Sequence, residues 1–187
     1  FQGSANMANP YELLAGLALL REKKRRSRQR NELELQEWSG FRVQLGDVAC
    51  LIPSDQVEEV VTPNAVAGVR GVPAWMRGVT YCRAQLVTLV DVTRLLLGET
   101  RHVPVARVFV MRGKQEWFGF QVSAFEGVRH IWSDTPICET PANVSGTWLL
   151  YVRQWLLLDD QPVAVLDASR LVEILEQRGS TVTEVAL

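Results

Sequence analysis

Short apolar runs recur along the chain from Phe41 onward, and turn-forming residues separate them. Phe41–Leu45 alternates apolar and polar residues, Gly46-Asp47 follows as a turn signal, and Val48–Ile52 is apolar again. This order is typical of a β-hairpin, because alternation places one face of each strand in a core. Further strands are predicted in Leu86–Val90, Val105–Met111, Trp117–Val122, Trp148–Val152, Trp155–Leu158 and Pro162–Leu166. Many short strands at close spacing indicate small barrels or a sandwich, so the predicted fold class is mainly β.

Two parts of the β region resemble each other. Val87–Leu95 (VTLVDVTRL) is similar to Val163–Leu171 (VAVLDASRL). Upstream, Ser54–Val60 aligns more weakly with Val122–Val128, at a slightly shorter separation along the chain. We interpret this pattern as a repeat of two β-rich units, at about 41–99 and 103–175.

The segment before the β region has a different composition. Residues 1–6 resemble the remnant of a cleaved expression tag, so they are left out of the fold prediction. Leucines at spacings of three and four predict a helix within residues 7–38, ahead of a folded domain at 39–178 and a tail at 179–187. Residues 21–30 hold seven Lys/Arg and one Glu, a net charge of +6. Since the whole chain carries −1, the remainder of the chain carries −7. We expect the basic segment to be a solvated extension or to dock on an acidic partner.

Residues that could carry chemistry are few. Cys50, Cys82 and Cys138 form no C-x-x-C pair, which argues against a disulfide framework and a zinc site. His102 and His130 have no metal-binding or catalytic context, and the chain has no nucleotide-binding glycine motif. No catalytic, cofactor-binding or metal-binding residue is therefore predicted, and the protein is not expected to be an enzyme or to use a cofactor.

Two aspartates follow predicted strands at equivalent places in the repeat. Asp91 precedes the short predicted helix Val92–Leu97, and Asp167 precedes Ala168–Gln177. A carboxylate at such a position can accept hydrogen bonds from the first N–H groups of a helix. We therefore expect both aspartates to be helix N-caps and not a catalytic pair.

The stretch Gly71–Gly98 closely resembles the signature of the CheW adaptor family. That signature has a Pro, an aromatic residue and R/K-G-V, here Pro73, Trp75 and Arg77-Gly78-Val79. An N-L-R-G turn follows in the family; here it is Tyr81–Ala84, which keeps Arg83 but has Ala84 in place of the glycine. A left-handed backbone at this turn would be costly for alanine. The resemblance covers about 41–175, and the approach through Glu37–Phe41 is most similar to the PilI branch, the adaptors of type IV pilus chemosensory systems.

The resemblance implies a fold, partners and site residues. Members of the family have two small five-stranded β-barrels, to which this chain would add an N-terminal helix and a short C-terminal helix. They are non-catalytic adaptors that bridge the regulatory domain of a CheA-type histidine kinase and the cytoplasmic tip of a methyl-accepting receptor. By this resemblance Val57 and Glu59 would face the kinase, and Gly78, Arg83 and Val108 would serve receptor coupling. The expected location is the cytoplasm, at membrane-bound arrays and at the cell pole.

Three other interpretations stay open. A flagellar chemotaxis adaptor of the same family would have the same fold and partners. A nucleic-acid or membrane-surface module would act through residues 21–30, although that window contains no aromatic side chain for base stacking. An enzyme would need a deep cleft that holds a perturbed acid or base.

Overall fold

The computed structural model describes residues 18–26, 36–98 and 107–184. Residues 18–26 are helical (α1), as expected within the predicted helix, most of which lies outside the described residues. The predicted helical segment ends too late, because Gln36–Trp38 already belongs to the first strand. Trp38 pairs there with Ile131 and packs against an apolar cluster, so tertiary packing decides this boundary.

Eleven strands and two further helices follow in the described part of the chain. Their bounds are β1 Gln36–Leu45, β2 Val48–Pro53, β3 Glu59–Val61, β4 Met76–Cys82, β5 Gln85–Asp91, α2 Val92–Leu97, β6 Val108–Arg112, β7 Trp117–Gln121, β8 Ala124–Trp132, β9 Ile137–Cys138, β10 Val152–Leu158, β11 Gln161–Leu166 and α3 Ala168–Glu184. The predicted hairpin at Gly46-Asp47 is present, and the strands β6 and β7 form a second antiparallel hairpin. The predicted strand Trp148–Val152 is wrong, because Thr147–Tyr151 is a 3-10 turn that places Trp148 against Trp155 in the core.

The strands form two sheets, and each sheet takes a hairpin from the other half of the chain. Sheet 1 has the order β3-β6-β7-β5-β4, and sheet 2 has the order β8-β1-β2-β11-β10-β9. The inserted hairpin lies parallel to its neighbour in both, since β7 is parallel to β5 and β2 is parallel to β11. The same order therefore occurs twice, as the sequence repeat leads one to expect, but the sheets do not coincide with residues 41–99 and 103–175.

The predicted class, mainly β with two small sheets, is confirmed, but neither sheet is a closed five-stranded barrel. Sheet 2 has six strands, and in sheet 1 the edge strands β3 and β4 are not paired with each other. A single bridge between Ala67 and Val79 spans part of that gap. The strand β3 is only three residues long and is followed by Thr62-Pro63, and proline has no N–H to extend a ladder.

One large apolar cluster joins the two sheets. Phe109, Phe118 and Phe120 of sheet 1 lie in it with Val43, Trp155 and the α3 residue Leu171. A smaller cluster lies on the other face of each sheet. That of sheet 1 contains Val87, Leu89, Val108 and Val110, and that of sheet 2 contains Ala49, Leu51, Ile131, Leu156, Val163 and Val165. Because both sheets contribute to the large cluster, they support each other as one unit.

The two aspartates at the ends of β5 and β11 cap the helices that follow. Asp91 Oδ1 accepts a hydrogen bond from the N–H of Arg94 at 3.0 Å, and Asp167 Oδ1 accepts one from Arg170 at 3.1 Å. These contacts match the expected N-caps. The helix α2 has the predicted bounds and ends at Gly98, whereas α3 continues to Glu184, beyond the predicted end at Gln177.

Candidate protein-binding surface

The hairpin β4–β5 presents apolar side chains to solvent. Tyr81 and Leu86 lie opposite each other across the two strands. Tyr81 is 75% exposed and Leu86 is 52% exposed. An exposed aromatic and aliphatic pair on a rigid hairpin is the kind of surface that anchors protein contacts. Neither residue was among the predicted site residues, because an apolar side chain in a strand is expected to lie in the core.

The turn of this hairpin is strained. Arg83 and Ala84 connect β4 to β5, and both have positive φ angles, 45° and 64°. Consecutive left-handed residues form the two-residue turn that suits the twist of a hairpin, but they favour glycine or asparagine. Ala84 therefore has the left-handed backbone conformation that is costly for alanine. The turn directs the Arg83 side chain outward, where it is 83% exposed.

Arg83 and Cys82 both contact Glu59 across the open edge of sheet 1. The contact of Arg83 is an ion pair. Arg83 Nε lies 3.0 Å from Glu59 Oε2, and the Cys82 thiol donates a hydrogen bond to Glu59 Oε1. Glu59 is on β3 whereas the other two residues are at the end of β4, so this cluster bridges the edge that backbone pairing leaves open. Desolvation and the hydrogen bond to the Glu59 carboxylate raise the pKa of Cys82 to about 11. The structure thus brings together Glu59 and Arg83, which the resemblance assigns to different partners.

Gly78 holds a loop against β4. Its φ is 137°, and a Cβ atom on it would lie 2.3 Å from the carbonyl oxygen of Ala67. Ala67 exchanges two backbone hydrogen bonds with Val79, of 2.8 and 2.9 Å, and the Thr80 hydroxyl donates to the Ala65 carbonyl. Gly78 therefore allows residues 65–67 to lie directly on the strand, and it offers no side chain to a partner.

The two predicted valines point inward. Val108 is 0% exposed, and its side chain lies in the smaller cluster of sheet 1. A receptor cannot touch it in this conformation, so any effect of Val108 on coupling would pass through the shape of the sheet. Val57 is partly buried against the large cluster, next to the exposed Glu58. Of the five predicted residues, Arg83 is the one that presents an exposed side chain, and Glu59 is next to it.

An apolar groove continues from this hairpin. It has a volume of about 1000 Å³ and is bordered by Leu86, Trp75, Trp117, Leu175 and Arg178, with Val72 and Pro73 at its rim. The groove lies between sheet 1, the loop before β4 and the later part of α3. Its open, mostly apolar walls suit a protein segment. The polar side chains that line it are Gln85, Thr88, Gln115, Glu116 and Arg178.

The equivalent hairpin of sheet 2, β10–β11, carries the opposite charge. Its turn residues Asp159 and Asp160 also have positive φ angles, 52° and 60°. Asp159 Oδ2 lies 3.2 Å from Arg42 Nη1 and 3.3 Å from Arg129 Nη2. Arg42 is nearly buried, and its Nε lies 2.8 Å from Glu126 Oε2, a close ion pair without hydrogen-bond alignment. Asp159 thus occupies the place of Arg83, and its ion pair with Arg129 on the edge strand β8 has the opposite polarity to the Arg83–Glu59 pair.

The described residues offer little for catalysis. Within them, no group of three His, Cys, Asp or Glu side chains is placed to hold a metal ion. Burial raises the pKa of the Cys50 thiol far above its usual value, so this thiol stays protonated. His102 lies outside the described residues. None of the helices in the described part is both long and apolar enough to cross a membrane.

Two small sheets around a common core, each holding a hairpin from the other half of the chain, define a mainly β domain built from a repeated unit. A family model described as a CheW-like domain matches residues 39–176. The chain therefore belongs to the CheW-like domain family, as the resemblance predicted; the similarity to the PilI branch stays a prediction.

The fold has a counterpart among solved structures. The crystal structure of the scaffolding protein TtCheW from Thermoanaerobacter tengcongensis is similar with a TM-score of 0.58. The two chains are 18% identical, and the match covers 69% of this chain and 88% of that one. At this identity the likeness shows the fold alone. A search of the curated proteins found no match.

Proposed function

We propose that the protein is a non-catalytic adaptor that holds a methyl-accepting chemoreceptor and a CheA-type histidine kinase together. Membership of the CheW-like family supports this role. The observation that carries it in this chain is the β4–β5 hairpin, where Tyr81 and Leu86 are exposed beside Arg83. Tyrosine and arginine are enriched among the residues that dominate binding energy at protein interfaces.

We assign the system to a type IV pilus, where the adaptor would act in twitching motility. The support is the basic helical segment that precedes Glu37–Phe41, which is similar to the PilI branch of the family. Deletion of the gene in the source bacterium should abolish twitching and leave swimming unchanged. Loss of swimming with normal twitching would favour the flagellar chemotaxis adaptor instead.

The site assignments follow the resemblance, with roles adjusted to the geometry. Glu59 contacts the kinase beside Val57, and Arg83 contacts the receptor. Gly78 and Val108 act on receptor coupling by fixing the shape of sheet 1, since neither offers an accessible side chain. The Glu59–Arg83 ion pair makes the two contact points neighbours, so binding of one partner would be sensitive to the other.

Charge exchange tests these assignments. The affinities of the full chain for the kinase regulatory domain and for the receptor tip would be measured by calorimetry for Arg83→Glu, Glu59→Lys and the double variant. We expect Arg83→Glu to weaken receptor binding, and Glu59→Lys to weaken kinase binding, by about tenfold or more, because each reversal places like charges at an interface. The matched control Arg170→Glu, on the exposed surface of α3, should bind normally.

The double variant Glu59→Lys/Arg83→Glu separates two explanations. It restores an internal ion pair with reversed polarity, so it should be as stable as the unaltered protein but should still bind neither partner well. Full recovery of both affinities would mean that the two residues act only on each other, which would contradict the assignment. Equal loss of both partners in Glu59→Lys alone would mean that the faces are wrongly assigned.

A further inference from the structure

The helix α1 has an exposed surface that the proposed adaptor function does not use. All nine residues 18–26 are exposed, including Leu19 at 69% and Leu20 at 63%. Leucines normally bury their side chains against a helix partner. Two adjacent leucines this exposed form an apolar patch on the helix, and such a patch is suited to binding a partner.

The charge on α1 indicates what covers it. The helix carries one acidic residue, Glu22, and five basic residues. The basic residues are Arg21, Lys23, Lys24, Arg25 and Arg26. Arg26 Nη2 lies 2.8 Å from Glu22 Oε1, which leaves four cations without an ion pair among the residues that the structure describes. An acidic or anionic surface would be attracted to the helix, and its attraction would fall with ionic strength.

The arrangement of these side chains favours a lipid bilayer. Lys23 and Lys24 follow Leu19 and Leu20 by four residues, so each lysine lies on the same side of the helix as a leucine, one turn further on. At a bilayer surface the leucines can enter the acyl boundary while the lysine stems extend upward to the phosphates. Nucleic acid could bind the cations through its phosphates but would leave the leucines without an apolar contact. Residues 18–26 also contain no aromatic side chain for base stacking.

We propose that α1 is a membrane-surface helix that binds bilayers of anionic glycerophospholipids. Leu19 and Leu20 supply the apolar contact, and the basic side chains supply the attraction to the lipid phosphates. The proposal does not depend on the adaptor function, because it concerns binding to lipid in the absence of receptor and kinase.

Vesicle co-sedimentation of the full chain tests the proposal. The protein would be mixed at low salt with phosphatidylcholine vesicles, or with vesicles in which about a third of the lipid is phosphatidylserine. We expect binding to the anionic vesicles alone, with loss at about 0.5 M salt, where charges are screened over a few ångströms. Lys23→Gln/Lys24→Gln should weaken binding by about 25-fold, or roughly fivefold for each basic residue removed.

Two further variants make the result specific. Leu19→Ser/Leu20→Ser should also lose anionic vesicle binding, which a purely electrostatic contact would not. The control Lys114→Gln/Arg170→Gln removes two cations elsewhere and should bind like the unaltered protein. No sedimentation with anionic vesicles, equal binding to neutral ones, or normal binding by either α1 variant would overturn the proposal. Salt-sensitive binding to duplex DNA without vesicle binding would assign α1 to nucleic acid instead.

Discussion

The turn at Arg83-Ala84 makes a sharp prediction about stability. Ala84 has a φ of 64° at a position where the related signature has glycine. A left-handed conformation costs a non-glycine residue roughly 1–2 kcal/mol relative to its preferred backbone. The substitution Ala84→Gly would remove that strain without changing a contact, because the methyl group lies on an exposed turn.

The gain is reduced by the flexibility of glycine in the unfolded chain. Replacing alanine by glycine costs roughly 0.5–1 kcal/mol in unfolded-state entropy. The difference leaves Ala84→Gly more stable by about 0.5–1 kcal/mol, which corresponds to a rise in Tm of roughly 1–4 °C for a chain of this length. Replacing an alanine whose φ is negative by glycine should lower the free energy of unfolding, since only the entropy cost remains.

Urea unfolding followed by tryptophan fluorescence measures both effects. Ala142→Gly is the matched control, because Ala142 is exposed in a turn and is not among the residues with positive φ. We expect the free energy of unfolding to rise for Ala84→Gly and to fall for Ala142→Gly. If both variants lose stability equally, the turn stores no strain and the reasoning is refuted.

Three smaller predictions concern the same surface and its repeat. Gly78→Ala should lower the free energy of unfolding by about 2 kcal/mol or more, because its Cβ would clash with the Ala67 carbonyl, and urea unfolding checks this. Asp167→Ala should lower it by about 1 kcal/mol through loss of the α3 N-cap; a change below the error of the same assay would contradict the cap. At pH 8.5 the Cys82 thiol, with a pKa of about 11, should be alkylated by iodoacetamide up to about 100-fold more slowly than a free thiol. The substitution Glu59→Gln should speed this reaction. Site-resolved mass spectrometry measures both rates, and an equal rate in the variant would contradict the role of Glu59.

The pKa of Cys82 also has a consequence for stability. In the folded protein the thiol keeps its proton up to about pH 11, whereas the ordinary pKa of a cysteine thiol, which holds in the unfolded chain, is 9.0. The unfolded state therefore releases the proton first as the pH rises. The contribution of this group to stability is complete below pH 9.0 and is lost progressively as the pH rises from about 9.0 through about 11.

The local features of the fold were accessible from the sequence. They depend on residues close together in the chain, where turn chemistry and capping decide the structure. Examples are the hairpin at Gly46-Asp47, the N-caps at Asp91 and Asp167, and the helix after Asp91. The strand β8 was not predicted, because the apolar residues Phe125, Val128 and Ile131 are three apart and do not alternate with polar ones as in a strand. It is a strand because β1 pairs with it along nearly its whole length.

The exchange of hairpins between the sheets could not be predicted. The repeat indicated two similar units, but it does not specify whether each hairpin pairs with its own half or with the other. That choice depends on contacts between residues far apart in sequence, such as Phe41 and Phe109, whose ring centroids lie 5.3 Å apart. The site was predicted only in part for a similar reason. Glu59 lies on β3 and Arg83 follows β4, which are the two ends of the sheet order, and the two residues meet because sheet 1 curls.

The two hairpin turns show how a repeated fold can direct a partner to one of its two sheets. The repeat gives both sheets a hairpin with a left-handed turn and an ion pair to the neighbouring edge strand. At the β4–β5 turn the exposed charge is the cation Arg83, whereas at the β10–β11 turn it is the anion Asp159, followed by Asp160. A partner whose charges complement one turn is repelled by the other, although their backbones are alike. On the proposed function, this reversal of charge would keep a partner of the β4–β5 turn from binding at the equivalent place on sheet 2.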